Sequence, residues 1–422
     1  MGEALEKANR AQVAAREMAR LDSRTRDNAL MAMADALEAQ RDFILTENEL
    51  DVALAREKGT EEPLIDRLLL TADRIKDIAD ALRVLASQSD PLGKVLEGRT
   101  LYNGIKMRKV SVPLGVVAMI YEARPNVTAD AAGLTLKTGN ACILRGGSMA
   151  VHSNISMTQV LYLAGMAAGL PEYWLQSIET TSREATTELM SLHGLIDVLI
   201  PRGSASLIRT TVENSKVPVI ETGEGNCHLY IHKSADPKII IPIAINAKTQ
   251  RPGVCNTIES ILIDTAVAAE HVPSLVEALT AKDVIIHADE KVYALSQDLG
   301  DAVMDKVFAA TEEDWGTEYL DLEVSMKCVS GIDEAIAHIN TYSTHHSEAI
   351  LSQDMTAVTR FLDEVDSAAV YANASTRFTD GGEFGLGAEI GISTQKLHAR
   401  GPMGLEALTS SKFVLEGNGQ IR

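Results

Sequence analysis

Cys255 lies where the sequence pattern predicts a reactive thiol. The run from Lys248 to Arg251 has the pattern of a helix end, and Pro252 and Gly253 then break the helix and place Cys255 on a loop. A loop can expose a thiol, and the nearby cations Lys248 and Arg251 favour the nucleophilic thiolate. Cys255 is therefore the leading candidate nucleophile, although an ordinary structural cysteine remains the alternative.

The other cysteines fit less active roles. Cys227 lies in a second loop-like segment and is a weaker candidate, whereas Cys142 and Cys328 lie in apolar runs typical of buried strands. The four cysteines are spaced too widely for a disulfide framework or a zinc knuckle. Reduced thiols, together with the absence of an apolar leader or an apolar run of about 18 residues, predict a cytoplasmic protein without a membrane span.

Three histidines raise the question of a metal site. His338, His345 and His346 form no i, i+4 pair, and no nearby cysteine or paired carboxylate would complete a coordination shell. The sequence therefore predicts no metal centre, and we interpret these histidines as surface or fold-supporting residues.

Two turns rich in small residues are candidate anion sites. Arg145-Gly146-Gly147-Ser148 and Arg202-Gly203-Ser204 each follow an apolar run, and the second opens a helical stretch. Small residues let backbone N–H groups approach an anion, and a helix N-terminus favours negative charge. Either turn alone could be no more than the start of a helix. Together they predict a nucleotide site without the usual G-x-G-x-x-G pattern.

The segments around these residues alternate between the apolar spacing of strands and that of helices. Short apolar runs are followed by longer helical stretches at intervals typical of parallel βαβ units, which predicts an α/β fold with ligands at the carboxyl ends of the strands. The predicted strands are 116–121, 141–144, 176–179, 196–200 and 217–220. A further helix is predicted over 238–250, capped by Asp236, although Pro242 suggests a later start.

The segments that flank this alternation have other patterns. Residues 3–90 have apolar side chains at helical spacing and are predicted to pack against a larger body. Asn103-Gly104 between apolar flanks predicts a hairpin with a two-residue turn, and a change of apolar phase between Met107 and Val110 indicates a bulge or a change of face. The hairpin is a candidate oligomerisation arm or simply a surface feature.

Composition narrows the range of partners. The chain has 422 residues, with 39 Lys and Arg against 59 Asp and Glu, for a net charge of −20. This charge argues against nucleic acid and against an anionic membrane surface, both of which need clustered cations. Small anions remain possible ligands because a local basic pocket would suffice to hold them.

Several long motifs resemble one family over essentially the whole chain. They are similar to those of the γ-glutamyl phosphate reductases, a branch of the aldehyde dehydrogenase superfamily. The matching segments are Tyr121-Glu122-Ala123-Arg124-Pro125-Asn126, Leu144-Arg145-Gly146-Gly147, Asn246 to Pro252 with Cys255-Asn256, Val329 to Ile350, and Gly385 to Pro402.

This resemblance implies an aldehyde dehydrogenase-like fold with two Rossmann-like parallel-sheet domains and a β-hairpin arm that joins subunits into a homo-oligomer. Residues 1–96 and 114–222 would form the NADP-binding domain, with a return segment at about 394–408. Residues 223–393 would form the catalytic domain, and 97–113 with 409–420 the arm.

The implied reaction is the NADPH-dependent reduction of L-glutamyl 5-phosphate to glutamate 5-semialdehyde, the second step of proline synthesis from glutamate. Cys255 would form a thioester, and the Asn126 side chain and the Cys255 N–H would hold the oxyanion, although Asn126 is equally plausible as a helix cap. A glutamate 5-kinase is then a candidate functional partner. The cofactor residues implied are Arg145, Gly146, Gly147, Ser148, Gly203, Ser204 and Glu318.

The resemblance also bears on the cofactor, because hydrolytic aldehyde dehydrogenases carry Lys-Pro-Ser-Glu where this chain has Arg145-Gly146-Gly147-Ser148. With no acid to repel a 2′-phosphate and Arg145 to pair with it, NADP is favoured over NAD. The two anionic ends of the substrate need cations, and each candidate could instead pair with an acidic neighbour and hold a loop. The candidates are Arg124, Lys248, Arg251, Arg377 and Arg400.

Two alternative functions are considered. A hydrolytic NAD(P)-dependent aldehyde dehydrogenase is kept because Glu221 stands where such enzymes carry a water-activating base, and a catalytically silent scaffold would use the same fold.

Overall fold

The chain divides into two compact units in a computed structural model that describes residues 2–122 and 124–422. The first comprises residues up to 222 with 385–391 and 402–422, and the second comprises 223–384 with 392–401. The segment 394–408, expected as one return to the first domain, is thus shared between the units. Met1 and Ala123 lie outside the described residues.

Five helices begin the first unit. Ala4, Ala8, Ala11 and Ala15, at three- and four-residue steps, are buried on one face of the first helix, as their spacing predicts. The helices are α1 (Glu3–Met18), α2 (Ser23–Ala39), α3 (Arg41–Glu57), α4 (Glu62–Leu68) and α5 (Ala72–Ser87).

A four-stranded parallel sheet forms the centre of this unit. Its strand order is β5-β4-β3-β6. The strands are rich in Val, Ile and Leu because both faces are covered. The elements are β3 (Val116–Tyr121), α6 (Asn126–Lys137), β4 (Ala141–Gly146), α7 (Val151–Ala167), β5 (Leu175–Ser177), α8 (Arg183–Ser191), β6 (Val198–Arg202) and α9 (Ala205–Asn214).

The predicted strand at 217–220 is wrong. This segment makes only an isolated bridge between Leu199 and Val219. The Leu199 N–H donates to the Pro218 carbonyl, and the Ile220 N–H donates to Leu199. Pro218 has no N–H to donate to the Asp197 carbonyl, and Pro201 has none to donate to the Ile220 carbonyl, so the ladder extends in neither direction.

A three-stranded antiparallel sheet, with order β1-β2-β16, forms the predicted hairpin arm and its end strand. The turn is longer than predicted: the Gly104 N–H donates to the Leu101 carbonyl, and Gly104 has positive φ while Asn103 does not. The register shift falls on the partner strand, between Val95 and Glu97. The strands are β1 (Val95–Thr100), β2 (Lys106–Pro113) and β16 (Thr409–Glu416).

The second unit is built on a seven-stranded parallel sheet. The strands are β7 (Cys227–Ile231), β8 (Ile258–Asp264), β9 (Ile285–Ala288), β10 (Val307–Ala309), β11 (Glu323–Val329), β12 (Ser347–Leu351) and β13 (Ala369–Ala372). Their order in the sheet is β10-β9-β11-β8-β7-β12-β13.

The apolar core of this unit lies between the sheet and the helices. The helices are α10 (Pro237–Thr249), α11 (Thr265–Thr280), α12 (Glu290–Ser296), α13 (Asp301–Met304), α14 (Ile332–Tyr342) and α15 (Met355–Glu364), and two short strands, β14 (Ile392–Ser393) and β15 (Gly401–Pro402), come later in the chain.

Helix α10 starts where its cap predicts. The Asp236 carboxylate accepts the Lys238 N–H at 3.0 Å, and the helix continues through Pro242 at the loss of one backbone hydrogen bond. The suggested later start is therefore wrong. Among the described helices, none has both the length and the apolar composition of a membrane span.

Candidate active site

The Cys255 loop joins the end of α10 to the start of β8. The Thr257 N–H donates to the Val254 carbonyl at 3.1 Å, and the Thr257 hydroxyl donates to the Arg251 carbonyl at 2.7 Å. The buried Asn256 amide donates to the Thr379 carbonyl at 2.9 Å. Cys255 itself is partly exposed. The loop is thus held on both sides while Cys255 stays partly exposed.

The remaining thiols are less suited to nucleophilic attack. Cys227 is fully buried at the start of β7 rather than on a loop, and burial raises its pKa well above the usual value. Burial also raises the pKa of Cys142 and of Cys328 to about 12. The interpretation of Cys227 as a second loop thiol is therefore wrong, and Cys255 is the best-placed nucleophile among the four.

Two predicted cations are close together near the thiol. Arg377 is half-buried, and its pKa is lowered by burial and by the charge of Arg251, whereas proximity to Cys255 raises it. The Arg377 Nε donates to the Gln250 Oε1 at 3.1 Å. Within the described residues, the exposed Arg251 guanidinium has neither a hydrogen bond nor an ion pair. Arg251 and Arg377 therefore stay candidates to bind an anion near the thiol.

Lys248 is not part of that cation pair. Its side chain is fully buried, and Nζ lies 2.5 Å from the Glu259 Oε2 and 3.1 Å from the Ile258 carbonyl, to which it also donates. Because the ammonium is enclosed and already paired, this arrangement does not support the prediction that Lys248 binds substrate.

Arg400 is also engaged elsewhere. Its Nη2 donates to the Asp366 side chain at 3.0 Å and to the Asp366 carbonyl at 3.2 Å. Lys396 pairs with the same carboxylate. Arg400 thus anchors a loop, and this contact does not support its predicted role in substrate binding.

Glu318 makes a contact that was not predicted. Its Oε1 accepts the Gly225 backbone N–H at 2.7 Å. Burial raises the pKa of Glu318, against lowering contributions from this hydrogen bond and from the charges of His346 and Lys248. The predicted contact with a cofactor ribose stays a prediction.

Asn126, in the first unit, is the first residue of α6. Pro125 precedes it as the N-cap, and no side chain caps this helix, so the interpretation of Asn126 as a cap is wrong. Its Nδ2 donates instead to the Asp130 Oδ2 at 3.2 Å. Since a carboxamide nitrogen carries two hydrogens, one N–H remains for a ligand. Arg124, half-buried two residues earlier, stays a candidate substrate cation.

Glu122 occupies the predicted anion turn after β6. The Ser204 N–H donates to its Oε2 at 2.8 Å, and the Ser204 hydroxyl lies 2.9 Å from its Oε1. A Cβ at Gly203 would lie 2.6 Å from the Glu122 Oε2. The start of α9 therefore already holds a carboxylate, and its predicted contact with a cofactor phosphate stays a prediction.

The turn after β4 is tightly packed around Arg145. A Cβ at Gly146 would lie 2.1 Å from the Asn154 Nδ2, while Ser148 begins a short 3₁₀ helix after Gly147. Arg145 donates to the carbonyls of Gly146, Thr181 and Ser182 at 3.1, 2.9 and 3.2 Å. These contacts fix the guanidinium, and its contact with a 2′-phosphate stays a prediction.

No metal centre emerges from the histidines and acids of the two described ranges, which contain no group of three potential ligands. His346 lies beside the buried Cys227 thiol, with Nδ1 3.8 Å from Sγ. Glu221 is half-buried at the end of the first unit.

Sequence reasoning missed three contacts of the predicted site residues, which are Glu122 with Ser204, Asp130 with Asn126 and Glu259 with Lys248. Asp130 could have been found, because it stands four residues after Asn126 on a predicted helix. The other two contacts bring together residues from separate elements and have no local signal.

Comparisons with known proteins show the family of the chain. A model described as the aldehyde dehydrogenase family matches residues 2–311. The chain is 51% identical to a gamma-glutamyl phosphate reductase of Halalkalibacterium halodurans, covering 100% of both chains. It is 53% identical to one of Moorella thermoacetica, covering 99% of this chain and 98% of that protein.

A solved gamma-glutamyl phosphate reductase of Thermotoga maritima superimposes with a TM-score of 0.95 at 43% identity, covering 100% of each chain. The chain therefore belongs to the aldehyde dehydrogenase family and, within it, to the gamma-glutamyl phosphate reductases. The predicted α/β fold with two parallel sheets and a hairpin arm is confirmed.

Proposed function

We propose that this chain reduces L-glutamyl 5-phosphate to L-glutamate 5-semialdehyde and releases phosphate, as the second step of proline biosynthesis from glutamate. The proposal draws its substrate from the names of the full-length relatives. The observation that carries it is the partly exposed Cys255 beside Arg251 and Arg377, a nucleophile next to a cation pair suited to a phosphate leaving group.

The chemistry needs one covalent intermediate on Cys255. The thiolate attacks the acyl carbon, the new S–C bond forms, and the C–O bond to phosphate breaks, so that inorganic phosphate leaves with the bonding electrons. A nicotinamide cofactor, when bound, supplies the hydride that reduces the resulting thioester. The tetrahedral thiohemiacetal then releases the aldehyde and regenerates the Cys255 thiolate.

The chain's other residues stabilise charge in these steps. Negative charge develops on the acyl oxygen at each addition, and the free N–H of Asn126 and the Cys255 N–H are our candidates to hold it. Arg251 and Arg377 would bind the phosphate, and Arg124 is the candidate for the α-carboxylate. None of these steps needs a base to activate water, so Glu221 has no assigned role.

We propose NADPH as the cofactor, since aldehyde dehydrogenases use NAD or NADP and the turn after β4 carries Arg145. Gly146, Gly147, Ser148, Gly203 and Ser204 would surround the cofactor's phosphates in the first unit. If Arg145 contacts the 2′-phosphate, R145A raises KM for NADPH by roughly 10-fold or more and leaves KM for NADH unchanged. Equal losses with both cofactors would make Arg145 structural.

The acyl phosphate is labile, so a glutamate 5-kinase is the proposed functional partner that supplies it. We also propose that the arm of β1, β2 and β16 joins subunits of a homo-oligomer, because its strands expose Leu96, Phe413 and Leu415 to solvent.

One assay separates the proposed reaction from its hydrolytic alternative. NADP reduction with glutamate semialdehyde is measured with and without inorganic phosphate. Phosphate-dependent reduction supports acyl phosphate chemistry, whereas oxidation that is independent of phosphate would point to a hydrolytic dehydrogenase. A catalytically silent scaffold would reduce no NADP in either arm.

A further inference from the structure

The backbone of Gly225 lies against the carbonyl of the proposed nucleophile. A Cβ built at Gly225 would lie 1.5 Å from the Cys255 carbonyl oxygen and 2.3 Å from the carbonyl carbon, which leaves no room for any side chain. Position 225 therefore requires glycine, because its backbone lies directly against the Cys255 carbonyl. The conformation of the Cys255 loop depends on where this short segment is held.

A second group contacts the same carbonyl oxygen. The buried Cys227 thiol donates to it at 3.1 Å, and the Cys227 N–H donates to the Gly225 carbonyl at 2.9 Å. The segment 225–227 thus supports the peptide that follows the Cys255 Cα. A shift of this segment would move or free the Cys255 carbonyl, and the thiol with it.

Side-chain contacts fix the middle of this segment. The Asn226 Nδ2 donates to the carbonyls of Trp315 and Tyr342 at 2.8 and 2.9 Å, and its N–H donates to the Thr344 hydroxyl at 2.9 Å. Position 225 has a different anchor. The Gly225 N–H donates to the Glu318 Oε1 at 2.7 Å, a distance typical of a charge-assisted hydrogen bond.

We propose that Glu318 is a positioning residue for Cys255, acting through its hydrogen bond to Gly225 even when no cofactor is bound. This inference rests on the proposed function, because it takes Cys255 as the nucleophile. It differs from the predicted ribose contact, which would leave the cofactor-free protein unaffected by a change at Glu318.

Two variants can separate the effect of the Glu318 charge from the effect of its hydrogen bond to Gly225. The titratable groups that act on Glu318 are His346 and Lys248, which lower its pKa, and Glu224, which raises it. E318Q removes the charge but keeps an oxygen that accepts from Gly225, whereas E318L removes both. The difference between the two variants therefore isolates the hydrogen bond.

The test measures alkylation of Cys255 by iodoacetamide in the full-length, cofactor-free protein from pH 6 to pH 10. C255S identifies the labelled thiol. At pH 7 we expect E318L to react roughly 3- to 10-fold more slowly than E318Q, with its thiolate forming at higher pH, and E318Q to stay within about 2-fold of the wild type. If E318L does not fold, E318A replaces it in the comparison.

Equal rates in all three proteins would overturn the proposal, and an equal change in both variants would assign the effect to charge and overturn it as well. The wild-type phosphate-dependent assay is run in parallel. A failure there would reject the proposed function while the alkylation result still decides the role of Glu318.

Discussion

The Lys248 Nζ lies 2.5 Å from the Glu259 Oε2, and neither side chain is exposed to solvent. Lys248 lies on α10 and Glu259 on β8, so the pair joins the two ends of the Cys255 loop. Burial raises the pKa of Glu259 to about 8 and lowers that of Lys248. Burying these two groups costs solvation free energy, and their contact holds the two ends of the Cys255 loop together.

Removing one partner should destabilise the fold. K248M leaves the Glu259 carboxyl group buried without its hydrogen-bond donor, and the group then takes up a proton, so we expect a loss of about 1–3 kcal/mol in the free energy of unfolding. The double variant K248M/E259L removes both polar groups and should recover much of that loss. Urea unfolding of the three proteins measures both effects. An unchanged stability of K248M, with a weaker affinity for phosphate, would instead restore Lys248 as a substrate residue.

Replacing the nucleophile should abolish turnover without unfolding the chain. C255S removes the thiolate, and a serine hydroxyl does not ionise at neutral pH without a strong base, so kcat should fall by several orders of magnitude. Binding of NADPH, followed by fluorescence, should persist. C328A is the matched control, because Cys328 is a half-buried strand residue outside the site. Near-normal turnover in C255S would reject the thioester.

The two arginines beside the thiol should differ in their effects. R251A removes a guanidinium that has no partner among the described residues, so KM for phosphate in the reverse reaction should rise about 10-fold with Tm unchanged. R377A also removes the hydrogen bond to Gln250, so Tm should fall together with phosphate affinity.

K282A, which removes an exposed lysine in the turn after α11, controls for the loss of one positive charge. If R251A leaves the phosphate constant unchanged, the cation pair does not bind the leaving group.

Glu122 should compete with the cofactor's phosphates. Its carboxylate uses the Ser204 N–H and hydroxyl at the start of α9. E122A frees these donors and removes a negative charge, so we expect the Kd for NADPH to fall by about 3- to 10-fold in a substrate-free titration. S204A, which loses the hydroxyl alone, should change it less. A higher Kd in E122A together with a lower Tm would show that Glu122 only caps the helix.

The sequence predicts elements better than it predicts contacts. Periodicity located β3, β4 and β6 because apolar burial on both faces leaves a continuous run that is visible locally. The segment 217–220 has a similar run, but the missing N–H groups of Pro218 and of Pro201 on the partner strand limit it to a bridge. Hydropathy shows which residues are apolar, whereas strand pairing depends on donors and partners elsewhere in the chain.

The site shows the same distinction. Cys255 was predictable because Pro252 and Gly253 mark its loop, and Arg251 because it is close to the thiol along the chain. Lys248 has the same proximity and charge, yet the acid that neutralises it lies within an apolar strand run, where no local pattern reveals it. Whether a lysine faces a ligand or a buried carboxylate depends on tertiary packing.

Asp130 should make activity depend on pH near 6. Burial raises its pKa to about 6, although the charge of Arg202 and the hydrogen bond from Asn126 lower it and the charge of Glu389 raises it. Above that pH the Asp130 carboxylate can only accept a hydrogen bond, so the Asn126 side-chain amide must turn its Nδ2 toward the carboxylate. Below it, the protonated acid can donate to the amide oxygen, and the Asn126 side chain can flip.

We therefore expect kcat of the wild type to fall as pH drops through about 6, and D130N, which does not ionise, to lose this inflection. At pH 7.5, kcat of D130N should be roughly 3- to 10-fold lower than that of the wild type, because a carboxamide at position 130 can both donate and accept and so tolerates either orientation of the Asn126 amide. KM for phosphate should not change.

Stability should move in the opposite direction. Because the folded-state pKa of Asp130 lies above its usual value of 3.8, protonation favours the folded state, and this stabilisation is lost as pH rises through about 6. D130N has no charge to bury, so at pH 7.5 it should be more stable than the wild type by about 1–2 kcal/mol, given the partial exposure of the residue.

Urea unfolding at pH 5 and 7.5 measures this difference, which should shrink at the lower pH. A variant that is more stable and less active identifies Asp130 as orienting Asn126, whereas an unchanged kcat profile with the inflection still at pH 6 would reject that role.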